Sequence, residues 1–164
     1  MILNNYWELL KAQQTNTFAQ SGTGAASTNM KDTDGNSVAF AYQGSSSVPR
    51  NWNMSPDSSI ILGSSDADGS VDDYDLTDPI SSGVTASSPQ WTFATSNGKY
   101  QRVVSFSATA SANVTIKEVG ICKNVYTSYS GDQSKVMLAR AVLSSPISLA
   151  SGQSAAIVIE WNEG

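Results

Sequence analysis

Residues 102–121 read RVVSFSATASANVTIKEVGI. In the first half Arg102, Val104, Phe106, Ala108 and Ala110 take every second position, with Ser105, Ser107 and Thr109 between them. A period of two marks a strand with one face in a core and the other in water. In the second half Val114 and Ile116 keep the period, as do Val119 and Ile121, but the two pairs are out of phase. A shift of one residue turns every side chain to the opposite face. The segment is therefore a single strand only if the pleat shifts near Lys117 and Glu118, as in a β-bulge.

The same signal continues on both sides. The turn Lys31-Asp32-Thr33-Asp34-Gly35-Asn36 leads into Val38, Phe40 and Tyr42 at period two. Ser59 to Leu62 form a short strand, and Trp91-Thr-Phe93 opens another. Val136 to Leu143, VMLARAVL, is nearly continuous and reads as buried on both faces. Ile147 and Leu149 follow Pro146, Ser151-Gly152 makes a turn, and Ala155, Ile157, Ile159 and Trp161 alternate to the end. Residues 15–30, TNTFAQSGTGAASTNM, read as a polar loop. About seven or eight strands separated by turns, with no long helical pattern between them, predict an all-β antiparallel β-sandwich, Greek-key or jelly-roll-like. The expected layout is a single domain over 1–164, with a short helix in 1–14, a loop and the first strands in 15–57, and the core sandwich in 58–164.

The one helical pattern lies at the start, where Ile2, Tyr6, Leu9 and Leu10 sit at helical spacing beside Leu3 and Trp7. A helix this short is marginal alone, so its apolar face must dock. The dock is either its own domain or another subunit, which makes Ile2, Leu3, Tyr6 and Trp7 candidate assembly contacts.

Charged residues make up only 14% of the 164 residues, and the net charge is −5. Ser, Thr, Gly and Asn take the place of charge, as suits a turn-rich β protein. No basic patch invites nucleic acid, and no apolar run reaches the length of a membrane span. The stretch MILNNYWELLKAQQ lacks the basic start and small-residue cleavage site of a signal peptide, so synthesis and folding in a cytoplasm are expected. Cys122 is the only cysteine, which removes an internal disulfide and a Cys-based zinc site and leaves a small residue in or beside a strand.

Histidine is absent, and with it the Ser-His-Asp and Cys-His machineries and His-liganded zinc. No G-x-S-x-G, P-loop or dinucleotide fingerprint occurs. Among the 14 acids, Asp32, Asp34, Asp66, Asp68, Asp72, Asp73, Asp75 and Asp78 lie in turns, where carboxylates bond their own backbone. Asp32-x-Asp34-Gly35 and Asp66-x-Asp68-Gly69 resemble pieces of calcium loops but lack the third ligand before Gly and the closing Glu. No catalytic residue, cofactor or metal ligand is therefore assigned. Trp52, in PRNWNM, is the aromatic freest to stack on a ligand.

Three stretches together resemble the small β-sandwich structural proteins of tailed-phage virions, which are tail-associated, collar or fibre, or head-decorating. They are IILGSSDADGSVDDYDL at 60–76, IKEVGI at 116–121 and VMLARAVLSSPISLASGQSAAIVIEW at 136–161. The resemblance covers residues 58–161. It implies a core strand at Ile60–Leu62, a glycine at 63 where the chain leaves the sheet, and an acidic loop pinned to the core by Tyr74 and Leu76. It further implies a non-enzymatic virion protein, made in the host cytoplasm, that assembles with itself and with other virion proteins in a symmetric oligomer. A carbohydrate- or receptor-binding module is the alternative.

Glu118 and Arg140 stand in otherwise apolar segments, and an isolated buried charge is expensive. A bidentate Arg–carboxylate pair is the usual remedy. The two strands are therefore expected to be neighbours with Glu118 and Arg140 paired across them; the other outcome is that the charges reach solvent or another subunit.

Overall fold

The computed structural model describes residues 1–14, 26–40, 58–96, 99–126 and 133–162, which form one helix and nine strands. Helix α1 (Asn4–Gln14) is followed by the hairpin of β1 (Ala26–Lys31) and β2 (Ser37–Phe40). The polar stretch read as a loop thus ends early, since residues 26–30 pair antiparallel with β2 and Met30 is fully buried. The hairpin turn is set by Asp32, whose carboxylate accepts the N–H groups of Asp34 at 3.0 Å and Asn36 at 2.8 Å. Gly35 supplies the positive φ of 82° that the turn requires.

Two antiparallel sheets make the sandwich. The first has the order β3 (Ser58–Gly63), β7 (Val114–Tyr126), β8 (Gln133–Leu149). The second is built on β6 (Lys99–Ala110), with β9 (Ser154–Asn162) along one edge. β4 (Val84–Ala86) and β5 (Gln90–Ser96) share the other edge. The chain crosses between sheets from β6 to β7 and again from β8 to β9, so β9 returns beside β6 in Greek-key fashion. The alternating residues of 102–121 meet here: Phe106, Ala108, Ala110, Ile116 and Val119 pack with Leu62, Leu149 and Ile157 between the sheets.

The pleat shift expected near Lys117 and Glu118 is present. Ile116 pairs with Ile147 and Glu118 with Val142, so Lys117 alone opposes Leu143 to Pro146. The extra residues lie on β8, and Pro146, which cannot donate to a ladder, sits among them.

The first sheet is also covered on its outer face, where Ile61, Cys122 and Met137 meet Leu3 and Leu76. Val136 to Arg140 are buried throughout, as VMLARAVL suggested, but Val142 emerges with 38% exposure. Residues 1–3 run along the free edge of β8: Arg140 N–H donates to the Met1 carbonyl and Leu3 N–H to the Leu138 carbonyl, both at 3.0 Å. Tyr6 and Leu9 pack on Met30, Val38, Val125, Val136 and Leu138. The buried Asn5 locks the helix down by donating to the carbonyls of Lys31 and Met137 and accepting the N–H of Lys31.

Of the four residues considered as assembly contacts, three are thus used within the chain. Leu3 and Tyr6 are buried, and Ile2 bridges Ala139 and packs against the same cluster. The reason is that apolar surface lies on both sides of β8: Leu3 joins the outer-face cluster, whereas Tyr6 packs with Val125, Val136 and Leu138 and lies under the Arg102 guanidinium of the second sheet. Only Trp7, 56% exposed, still faces outward.

Candidate functional site

Glu118 and Arg140 occupy the outer face of the first sheet, on adjacent strands, two residues out of direct register and hence on the same face: Arg140 stands opposite Gly120, and Glu118 opposite Val142. Arg140 Nη2 lies 2.7 Å and Nε 3.0 Å from Glu118 Oε2. The Glu118 side chain is fully buried and that of Arg140 is 2% exposed. Both guanidinium nitrogens converge on one carboxylate oxygen, so the second is free for another partner. Glu118 Oε1 accepts the Asp78 N–H at 2.9 Å, while Oε2 also receives the Thr77 N–H at 3.3 Å.

The remaining donors of Arg140 reach into the acidic loop that follows β3. Nη1 donates to the Asp73 carboxylate, and Nη2 to the Ala67 carbonyl at 3.1 Å and the Thr77 hydroxyl at 2.8 Å. All three guanidinium nitrogens are thereby engaged. Burial pulls the Arg140 pKa down, but the hydrogen bonds and charges of Asp73 and Glu118 outweigh it and hold the group above its ordinary value.

This cluster explains Gly63. A Cβ at position 63 would stand 2.4 Å from Glu118 Oε1 and 2.5 Å from Cγ. The glycine was expected to release the chain from the sheet. β3 does end at Gly63, which is still paired with Glu118, and the missing Cβ also makes room for the carboxylate to cross it.

The rest of the loop is tied as tightly. Asn4 N–H donates to the Val71 carbonyl at 2.8 Å and its amide to the Asp72 carboxylate at 2.7 Å, which fastens the loop to the start of α1. Ser64 bonds Asp78, and Lys117 bonds Asp66 at 3.0 Å. Leu76 enters the core as expected. Tyr74 does not: it stays 39% exposed, lies against Gly35 and carries the Lys31 ammonium 5.3 Å from its ring centroid. A phenol has a polar end to keep wet, and the hairpin turn offers it a surface rather than a pocket.

A second feature, which the sequence did not signal, is a groove of about 290 Å³ beside β3, lined by Ile60, Leu62 and Ile80 together with Asp34, Asp75 and Lys135. Burial, then the charges of Asp34 and Glu118, raise the Asp75 pKa despite its bond from the Leu76 N–H. Its acid pair and its lysine come from loops and strands distant in sequence. Among the described residues no group of three or more acids or cysteines could hold a metal. Cys122 is buried beneath Leu76, and burial pushes its thiol up to about 12. Trp91 packs against the core clusters, and Trp52 lies outside the described residues.

No family model, curated protein or solved structure matches the chain. The chemistry the site offers is therefore read from its geometry alone. Arg140, Glu118 and Asp73 direct their polar groups at one another, at the Thr77 hydroxyl and at backbone. The cluster is an anchor. It converts a polar loop with little apolar content into a fixed cover over the outer face of the sheet.

Proposed function

We propose that the chain is a non-enzymatic structural component of a tailed-phage virion, in tail, neck or capsid decoration. It is made in the bacterial cytoplasm and assembles through contacts with itself and with other virion proteins. One observation carries the reading. The three stretches that resemble such proteins are far apart in sequence, yet their characteristic residues meet in one place. The first brings Gly63 and Asp73, the second Glu118 and the third Arg140. A resemblance spread by chance over unrelated positions has no reason to converge on a single buried cluster. Fixed loops on a stiff sandwich also suit a protein whose task is to present a constant surface to neighbours.

The test is gold-labelled antibody against this chain applied to purified particles of the source phage. Labelling at one defined place on the particle supports the reading. Particles that stay unlabelled while the host lysate reacts would sink it.

A further inference from the structure

The chain covers two of its sheet edges with its own backbone. Residues 1–3 lie along β8, and Pro79 and Ile80 close the end of β3, with the Ile80 N–H donating to the Leu62 carbonyl at 2.8 Å. The outer edge of β9 is different: among the described strands β9 pairs with β6 alone. That pairing runs from Ser154 to Asn162 without a break in register.

The direction of the free backbone groups follows from the ladder. Ala110 N–H donates to the Gln153 carbonyl at 2.9 Å, so this pair is a bonded one. Bonded and non-bonded pairs alternate in antiparallel sheets. Ala155, Ile157 and Ile159 therefore turn their N–H and C=O groups toward β6, while Ser154, Ala156, Val158 and Glu160 turn theirs outward. Natural edges are guarded by lysine, proline, bulges or short length. The stretch Ser154–Glu160, SAAIVIE, has none of these guards, and its one charge is Glu160. Val158, at 58%, is the most exposed large hydrophobic residue among those described.

We propose that the β9 edge pairs with β9 of a second copy, antiparallel about a two-fold axis at Ile157. The stretch is complementary to itself in that register. Ser154 faces Glu160, Ala155 faces Ile159, and Ala156 faces Val158, so no like charges meet. All four outward-facing residues find bonding partners, and each Val158 is covered by Ala156 of the other copy. The second sheets of the two molecules become one continuous sheet, an isologous interface of the kind closed dimers use. This rests on the proposed assembly role only in taking self-association as part of the function. A dimer that forms while particle labelling fails would remove the virion reading and leave the interface standing.

The experiment is sedimentation equilibrium of the full chain and of Val158→Pro. The Val158 N–H points away from β6, so proline there deletes only the intermolecular donor. The wild type should have the mass of two copies, and Val158→Pro the mass of one with an unchanged circular-dichroism spectrum. Val158→Lys, which leaves the backbone intact and sets a charge against Ala156 of the other copy, should also run as one copy and decides the matter if the proline variant misfolds. A wild type with the mass of one copy overturns the proposal, and so does a dimer that survives Val158→Lys. Cross-links from β9 of a single-copy wild type to a different virion component would assign the edge to that partner and overturn it equally.

Discussion

Arg140 would be among the costliest side chains to bury were it alone, and its surroundings are arranged so that it is not. Its guanidinium donates five hydrogen bonds, to Glu118, Asp73, Ala67 and Thr77. Desolvation offsets much of the Coulomb gain in such a pair, so its presence is weak evidence of net stabilisation. Removing one partner is another matter: Arg140→Met should cost roughly 3–5 kcal/mol, because Glu118 is left buried and uncompensated. In a double-mutant cycle with Glu118→Gln, read by urea denaturation, the coupling energy should clearly exceed the roughly 0.5 kcal/mol scatter of independent sites. A coupling within that scatter would mean the two charges act separately. Cys122 gives a second prediction at this scale. The unfolded thiol ionises near pH 8.5, whereas the folded one is held protonated up to about 12. Its contribution is complete below the unfolded value and is lost as pH rises toward the folded value. Wild type should therefore lose more stability than Cys122→Ala between about pH 8 and about pH 10; equal losses would show that the thiol is not shielded. The ion pair was legible because two charges interrupted two apolar runs. Its partners Asp73, Ala67 and Thr77 were not, since they come from a loop whose path no local pattern dictates.

At the scale of elements, period two read out β2, β5, β6, β7 and β9, short aliphatic runs read out β3 and the first part of β8, and the phase slip between Ile116 and Val119 located a bulge. β1 was hidden by its polar composition, because the buried Met30 follows Ala26-Ser27-Thr28-Asn29, a run with no apolar alternation. β4 is only three residues long and leaves no period to count. The helix was legible, but its dock was not. That depended on β8 being apolar on both sides, which the nearly continuous VMLARAVL hinted at without saying what covered it. The dock predicts an asymmetry between neighbouring apolar residues. Leu3→Ala should cost about 2–5 kcal/mol, as for other buried leucines, whereas Trp7→Ala, at an exposed position, should stay within about 0.5 kcal/mol. Thermal melts of the two variants check this. Equal small effects would mean that residues 1–14 are not held on the sheet.

At the scale of the molecule, the sandwich, the fastened loop and the edge of β9 describe a stiff unit with few charges on its strands and one long strand edge that no described strand covers. Such a unit suits repetition in an assembly, where each copy must present the same surface and a modest contact is multiplied by symmetry. A structural protein must be present in fixed number, unlike a host factor or a passing contaminant. Gradient-purified particles should therefore contain this chain in many copies, at a ratio to the major head protein that stays constant from one preparation to the next when measured by quantitative mass spectrometry against labelled peptides of both. A trace amount that varies between preparations and falls with each further gradient would contradict the account.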